Sequence, residues 1–208
     1  MSLPLNPSLA TLSVYQPGRP IQEVARELGL DAADIIKLAS NENPLGPSPA
    51  AVAAMERVIQ SLHLYPDGNA FYLKQKLAAK LDLTTANLIL GNGSNEIIEF
   101  IGHALMTSGS EVVVSEYCFA VYPIVTKLFG ASLVTVPAVN FGHDIPAMLR
   151  AITPKTRVIF VANPNNPTGT LIPAADIERL ITKCPRTFSS RWMKPISSSL
   201  MNPLTCSR

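Results

Sequence analysis

An α/β fold, with a largely parallel sheet covered by helices on both faces, is the architecture this sequence predicts, and two observations predict it. Strand-length apolar runs alternate with segments of helical spacing from residue 88 to residue 182, the order that wraps helices around a parallel sheet. The composition of the 208 residues, 47% apolar and 15% charged, is that of a chain that folds around a sizeable core. Ligands are then expected beyond the carboxyl ends of the strands.

The elements follow in order. Residues 1 to 20 are rich in proline and polar residues and hold Tyr15-Gln16-Pro17-Gly18-Arg19-Pro20, which reads as an extended arm leading into a helix over Ile21 to Leu30. Ile35 to Ala39 has strand length, and Ser40 to Pro49 is a turn-dense loop. Helical spacing returns over Ala51 to Leu64, stops at Tyr65-Pro66-Asp67-Gly68, and resumes over Phe71 to Leu81. Beyond this come strand Leu88 to Leu90, helix Asn95 to Met106, strand Glu111 to Ser115 and helix Val121 to Phe129. Strands Ser132 to Val136 and Arg157 to Ala162 and a helix over Ala174 to Thr182 complete the pattern. The expected division is an arm and helix over 1–34, a partial ligand-binding domain over 35–184, and an extension over 185–208 whose composition matches neither period and suggests disorder.

Charge and targeting signals narrow the partners. A formal net charge of +2 without a basic stripe points to a small molecule rather than to nucleic acid or an anionic membrane. The longest apolar runs fall far short of a membrane span, and the first residues lack a secretory pattern, so a cytoplasmic setting is expected. Cys118, Cys184 and Cys206 form no Cys-x-x-Cys pair, and His63, His103 and His143 lack ligand spacing, so neither disulfide nor metal site is expected.

Two loops carry candidate chemistry. Gly91-Asn92-Gly93-Ser94-Asn95-Glu96 opens a helix, where free amides and the Ser94 hydroxyl could receive a phosphate. A dinucleotide fingerprint is disfavoured because Glu96 stands at its third glycine position, and a plain glycine turn with Ser94 as helix cap is the competing reading. Asn163-Pro164-Asn165-Asn166-Pro167-Thr168-Gly169-Thr170 follows an apolar strand, where amide side chains in a stiff loop can donate to an oxygen anion.

These two loops, with Leu38-Ala39-Ser40-Asn41-Glu42-Asn43-Pro44-Leu45-Gly46-Pro47 and Tyr65-Pro66-Asp67-Gly68, resemble in order and spacing the N-terminal half of the histidinol-phosphate aminotransferase family. The resemblance spans about Leu12 to Lys183. It implies the large domain of a fold-type-I enzyme dependent on pyridoxal 5′-phosphate, histidinol phosphate as substrate with glutamate and 2-oxoglutarate as the other pair, and a homodimer. By the same resemblance Gly93, Ser94 and Asn95 would hold the cofactor phosphate, Asn166 would meet the ring's phenolic oxygen, and Phe119 would stack on the pyridine. Tyr65 would reach the phosphate of a neighbouring subunit, and Tyr15 and Asn43 would contact substrate. Other aminotransferases of the same fold type, such as an aromatic one, and a non-catalytic dimerisation fragment remain open alternatives.

The family's cofactor-bonding lysine, and the acid that keeps the pyridine nitrogen protonated, have no match here, so no catalytic residue is assigned and the chain by itself is expected to be truncated and inactive. The tail supplies an explanation. Trp192, Met193 and Lys194 have codons that, read from each third base, force Asp-Glu, and the codons that follow permit Ala-Tyr-Ile-Glu-Phe. That is the family's acid-bearing segment, so residues after about Pro185 are expected to be a shifted reading of it, with neither Lys183 nor Lys194 in a catalytic role.

Overall fold

A computed structural model describes residues 8–9 and 12–184. The tail expected from residue 185, with its shifted frame, lies outside the described residues, as does most of the arm before residue 12. The described residues form two compact units, one of residues 15–88 and one that begins at residue 89 and also takes in the described residues before 15.

Residues 15–88 are helical. Helix α1 spans Ile21–Leu28, closes at Gly29 and buries Ala25. Arg19 forms ion pairs with Glu23 and Glu27 at its start. Helix α2, Pro49–Val58, begins with proline at its first position, where no amide is needed. Helix α3, Phe71–Leu81, is initiated by Asp67, whose carboxylate accepts the amides of Asn69 at 2.9 Å and Phe71 at 2.8 Å. These two bonds hold the Asp67 carboxyl below its ordinary range. The strands expected at 35–39 and 88–90 do not form: both segments are extended at their start but pair with no strand among the described residues. Ile36 and Leu38 stand 85% and 94% exposed, so their apolar run is a surface segment rather than a core strand.

The second unit is built on three parallel strands, β1 (Glu111–Ser115), β2 (Ser132–Val136) and β3 (Thr156–Ile159), in the order β2-β1-β3. Val112, Val113 and Val114 of the central strand are essentially inaccessible to water. Alternation sends Val112 and Val114 to one face, where they pack with Ile98, Val121 and Val125 of helices α4 (Gly93–Leu105) and α5 (Val121–Leu128). Val113 goes to the other face, onto Ile145 and Met148 of α6 (Ile145–Arg150) and Ile177 and Leu180 of α7 (Ala174–Lys183). Helices therefore cover both faces, as the strand–helix alternation predicts.

Helix α6 has no counterpart among the sequence-predicted elements. It is one and a half turns long, with Pro146 in its first turn and Asp144 capping the Ala147 amide at 2.9 Å, too short for a 3.6-residue period to show. Strand β3 pairs only as far as Ile159. Beyond it the Phe160 amide still reaches the Val113 carbonyl at 3.0 Å, and the chain then leaves the sheet.

Candidate active site at the carboxyl edge of the sheet

The connections choose where a ligand would sit. After β1 the chain turns to α5 on one face, and after its neighbour β3 it turns to α7 on the other. A crevice therefore opens between the carboxyl ends of β1 and β3, the switch point at which open parallel sheets bind ligands.

Helix α4 aims its N-terminus at the same edge. Its C-terminal half lies against Phe129, the residue that ends α5 at the amino end of β2: the His103 and Phe129 rings meet edge-on at 4.7 Å, and Gly102 lies under the Phe129 ring. A Cβ on Gly102 would come within 2.3 Å of that ring, so only glycine allows the approach. The helix thus runs opposite to the strands and brings Gly93, Ser94 and Asn95 to their carboxyl end.

At that N-terminus Gly93 has φ +78°, a conformation glycine adopts without strain, and its amide donates to the Gly91 carbonyl at 2.9 Å. The Asn92 amide donates to the Glu96 carboxylate. Ser94 and Asn95 are exposed, their side chains make no hydrogen bond among the described residues, and their amides lie in the first turn, where a helix offers no internal acceptor. The helix dipole adds a positive partial charge there, partly countered by Glu96.

The loop after β3 is tied to the loop after β1 by one buried side chain. Asn165, 5% exposed, donates its Nδ2 to the Tyr117 carbonyl and to Thr168 Oγ1, both at 2.8 Å. Its own amide donates to the Thr170 carbonyl and its carbonyl accepts the Gly169 amide, again at 2.8 Å. Asn163 Oδ1 accepts the Ile172 amide at 2.8 Å. The Asn163–Pro164 and Asn166–Pro167 peptide bonds are cis. Asn166, half-buried beside this frame, makes no side-chain hydrogen bond among the described residues, so its amide is available to a ligand.

Phe119 lies just before α5, half-buried, its ring edge-on to Tyr122 at 5.7 Å, and Tyr122 in turn stacks on Phe160 at 4.3 Å. Burial raises the pKa values of the Cys118 thiol and the Tyr122 phenol, so both stay neutral at ordinary pH. His143, on the loop after β2, makes a 3.1 Å hydrogen bond through Nε2 to the Ala162 carbonyl. Burial holds its pKa below the usual histidine value, against the opposing effects of Ala162 and the Asn165 side chain. A hollow of about 380 Å³ lies beside it, lined in part by Thr170, Ile172 and Asp176.

Of the site residues expected from sequence, the second unit thus carries Gly93, Ser94, Asn95, Phe119 and Asn166 on loops and a helix end at one edge of its sheet. Tyr15, Asn43 and Tyr65 belong to the helical unit. Tyr65 is wholly exposed and Tyr15 half so. Asn43 is engaged in its own turn, accepting the Leu45 amide at 3.1 Å and donating to the Gly46 carbonyl at 3.0 Å. Sequence reasoning missed Asn165 as the clamp and His143 as its neighbour. Only the burial of Asn165 distinguishes it from the amides on either side.

Residues 33–189 match the family model described as aminotransferase class I and II. The chain is 51% identical over 175 residues to histidinol-phosphate aminotransferase 2 of Nitrosospira multiformis, covering 84% of this chain and 45% of that protein. It is 50% identical over 179 residues to histidinol-phosphate aminotransferase 1 of Thiobacillus denitrificans, covering 86% and 47%. The chain therefore spans about half the length of the curated relatives it matches. Among solved structures, histidinol-phosphate aminotransferase from Sinorhizobium meliloti, in complex with pyridoxal-5′-phosphate, superposes with a TM-score of 0.77 at 25% identity, over 90% of this chain and 50% of that one. A putative histidinol-phosphate aminotransferase from Erwinia carotovora gives a TM-score of 0.67 at 30% identity, over 71% and 44%.

Proposed function

The chain belongs to the class I and II aminotransferases, and from that membership we propose that it carries the phosphate-binding half of an enzyme that exchanges the amino group of histidinol phosphate with 2-oxoglutarate, forming the corresponding ketone and glutamate, or runs the same exchange in reverse. One observation carries the reading. A helix N-terminus with two unengaged amides, an aromatic ring and a free amide side chain all lie on segments that end at the carboxyl edge of a parallel sheet, at its switch point.

The residues present fit pyridoxal 5′-phosphate. The Ser94 and Asn95 amides and the Ser94 hydroxyl would receive a dianionic phosphate at the positive end of α4, with Gly93 giving the backbone its turn. Asn166 would donate to the phenolic oxygen of the ring, and Phe119 would lie against its face. Bound there, pyridoxal phosphate supplies the electron sink that amino-group transfer requires. The part this chain would play is to anchor, orient and shield: Asn165 fixes the loop that carries Asn166, and the apolar cluster against which Phe119 packs would keep water from one side of the ring. Tyr65, wholly exposed on its own chain, is free to serve the phosphate of a second subunit in a homodimer. Tyr15 and Asn43 are assigned to substrate.

Substrate choice is tested by a chimera that joins residues 12–184 to the C-terminal half of the Nitrosospira multiformis relative. The chimera should transfer the amino group of histidinol phosphate in preference to that of phenylalanine. Equal or reversed preference would contradict the assignment.

A further inference from the structure

The hydrogen bonds around His143 and Asn165 leave a proton missing. Both hydrogens of Asn165 Nδ2 are directed at acceptors, the Tyr117 carbonyl and Thr168 Oγ1, which fixes the orientation of the amide and turns Oδ1 inward. Oδ1 is buried and meets no donor among the described residues. His143 Nε2 faces the Ala162 carbonyl, which can only accept, so Nε2 carries the hydrogen. Nδ1 is then a bare lone pair, also buried and without a partner among the described residues. The Asn165 side chain lies within interaction range of the imidazole, so a neutral ring has one hydrogen for two acceptors, Ala162 O and Asn165 Oδ1. An imidazolium has two.

We propose that His143 is a positioning residue, whose protonation at Nδ1 closes the contact to Asn165 Oδ1 and so tightens the loop that presents Asn166. Its functional consequence rests on the reading of Asn166 as a cofactor contact; the coupling between His143 and Asn165 does not. Two carboxylates stand near the histidine. Asp144 is engaged with the Ala147 amide at 2.9 Å, and Asp176, from the first turn of α7, lines the adjoining hollow. Burial opposes the charge, so the transition falls on the acid side of the usual histidine range.

Nitrogen-detected NMR of the full chain, titrated from about pH 8 to about pH 5 without cofactor, tests this. Above the transition His143 should be the Nε2–H tautomer. As Nδ1 gains its proton, the Asn165 side-chain amide resonances should move with the same midpoint. His143→Gln should abolish that movement, and Asn165→Asp, which sets a carboxylate against Nδ1, should raise the His143 midpoint by about one unit or more. Asn165 resonances that ignore His143, an Nδ1–H neutral tautomer, or an unmoved midpoint in Asn165→Asp would each overturn the proposal. A chain that showed the coupling and bound no pyridoxal phosphate at any pH would instead count against the function proposed above.

Discussion

Replacing Asn165 with alanine removes the side chain whose hydrogen bond, among the described residues, joins the loops after β1 and β3. Two hydrogen bonds are lost, each at 2.8 Å and each of a kind that contributes about 1 kcal/mol net. The Tyr117 carbonyl and Thr168 hydroxyl lose a donor, which adds to the cost, but the unmet Oδ1 disappears with the side chain, which reduces it. The loss of stability should therefore be about 2 kcal/mol. Asn163→Ala, which deletes the acceptor of the Ile172 amide at 2.8 Å and a long, weak bond to the Ile172 carbonyl at 3.4 Å, should lose about half as much. Urea titrations followed by far-ultraviolet circular dichroism resolve the difference: with a slope of about 2 kcal/mol per molar, Asn165→Ala should lower the midpoint by about 1 M. A loss under about 0.5 kcal/mol, or a loss no larger than that of Asn163→Ala, would refute Asn165 as the clamp.

Met148→Ala empties a fully buried position under the central strand and should cost about 3 kcal/mol in the same assay. Gly102→Ala gains about 1 kcal/mol of helix propensity but drives a methyl into the Phe129 ring, so its net effect should be a loss of about 1 kcal/mol, where an exposed glycine in mid-helix would show a gain. Asp67 ionises more readily folded than unfolded, so its support of α3 should be complete above its ordinary value near 3.8 and fade as the pH falls below it; amide exchange at Asn69 and Phe71 in wild type and Asp67→Asn checks this, only the wild type showing the dependence. His143 has the opposite charge but the same sign of slope. Its folded pKa is depressed, the unfolded chain takes up more protons below pH 6.5, and stability should fall as the pH drops from there, an effect absent from His143→Gln.

The sheet was legible because its signals are local. Glu111–Ser115 and Ser132–Val136 are strands over the residues their apolar runs mark, and Phe71–Leu81 is a helix over the residues its spacing marks. Ile35 to Ala39 has a similar run but pairs with no strand among the described residues, and pairing is a property of the fold, not of the segment. The loops of the candidate site were legible, since a glycine-opened helix and an amide-rich turn after a strand are each marked by their own residues. The proton shortage between His143 and Asn165 was not. It depends on which atoms burial deprives of water, and residues 143 and 165 lie on loops that follow different strands.

The affinity of the purified chain for 4′-deoxypyridoxine 5′-phosphate tests the central claim most directly, because that analogue keeps the ring and phosphate but cannot bond to surface lysines. It should bind, inorganic phosphate should compete with it, and Ser94→Asp, which places a second carboxylate at the start of α4, should weaken it about tenfold or more. Binding that is indifferent to both phosphate and Ser94→Asp, or no binding at all, would contradict a phosphate seat at this helix.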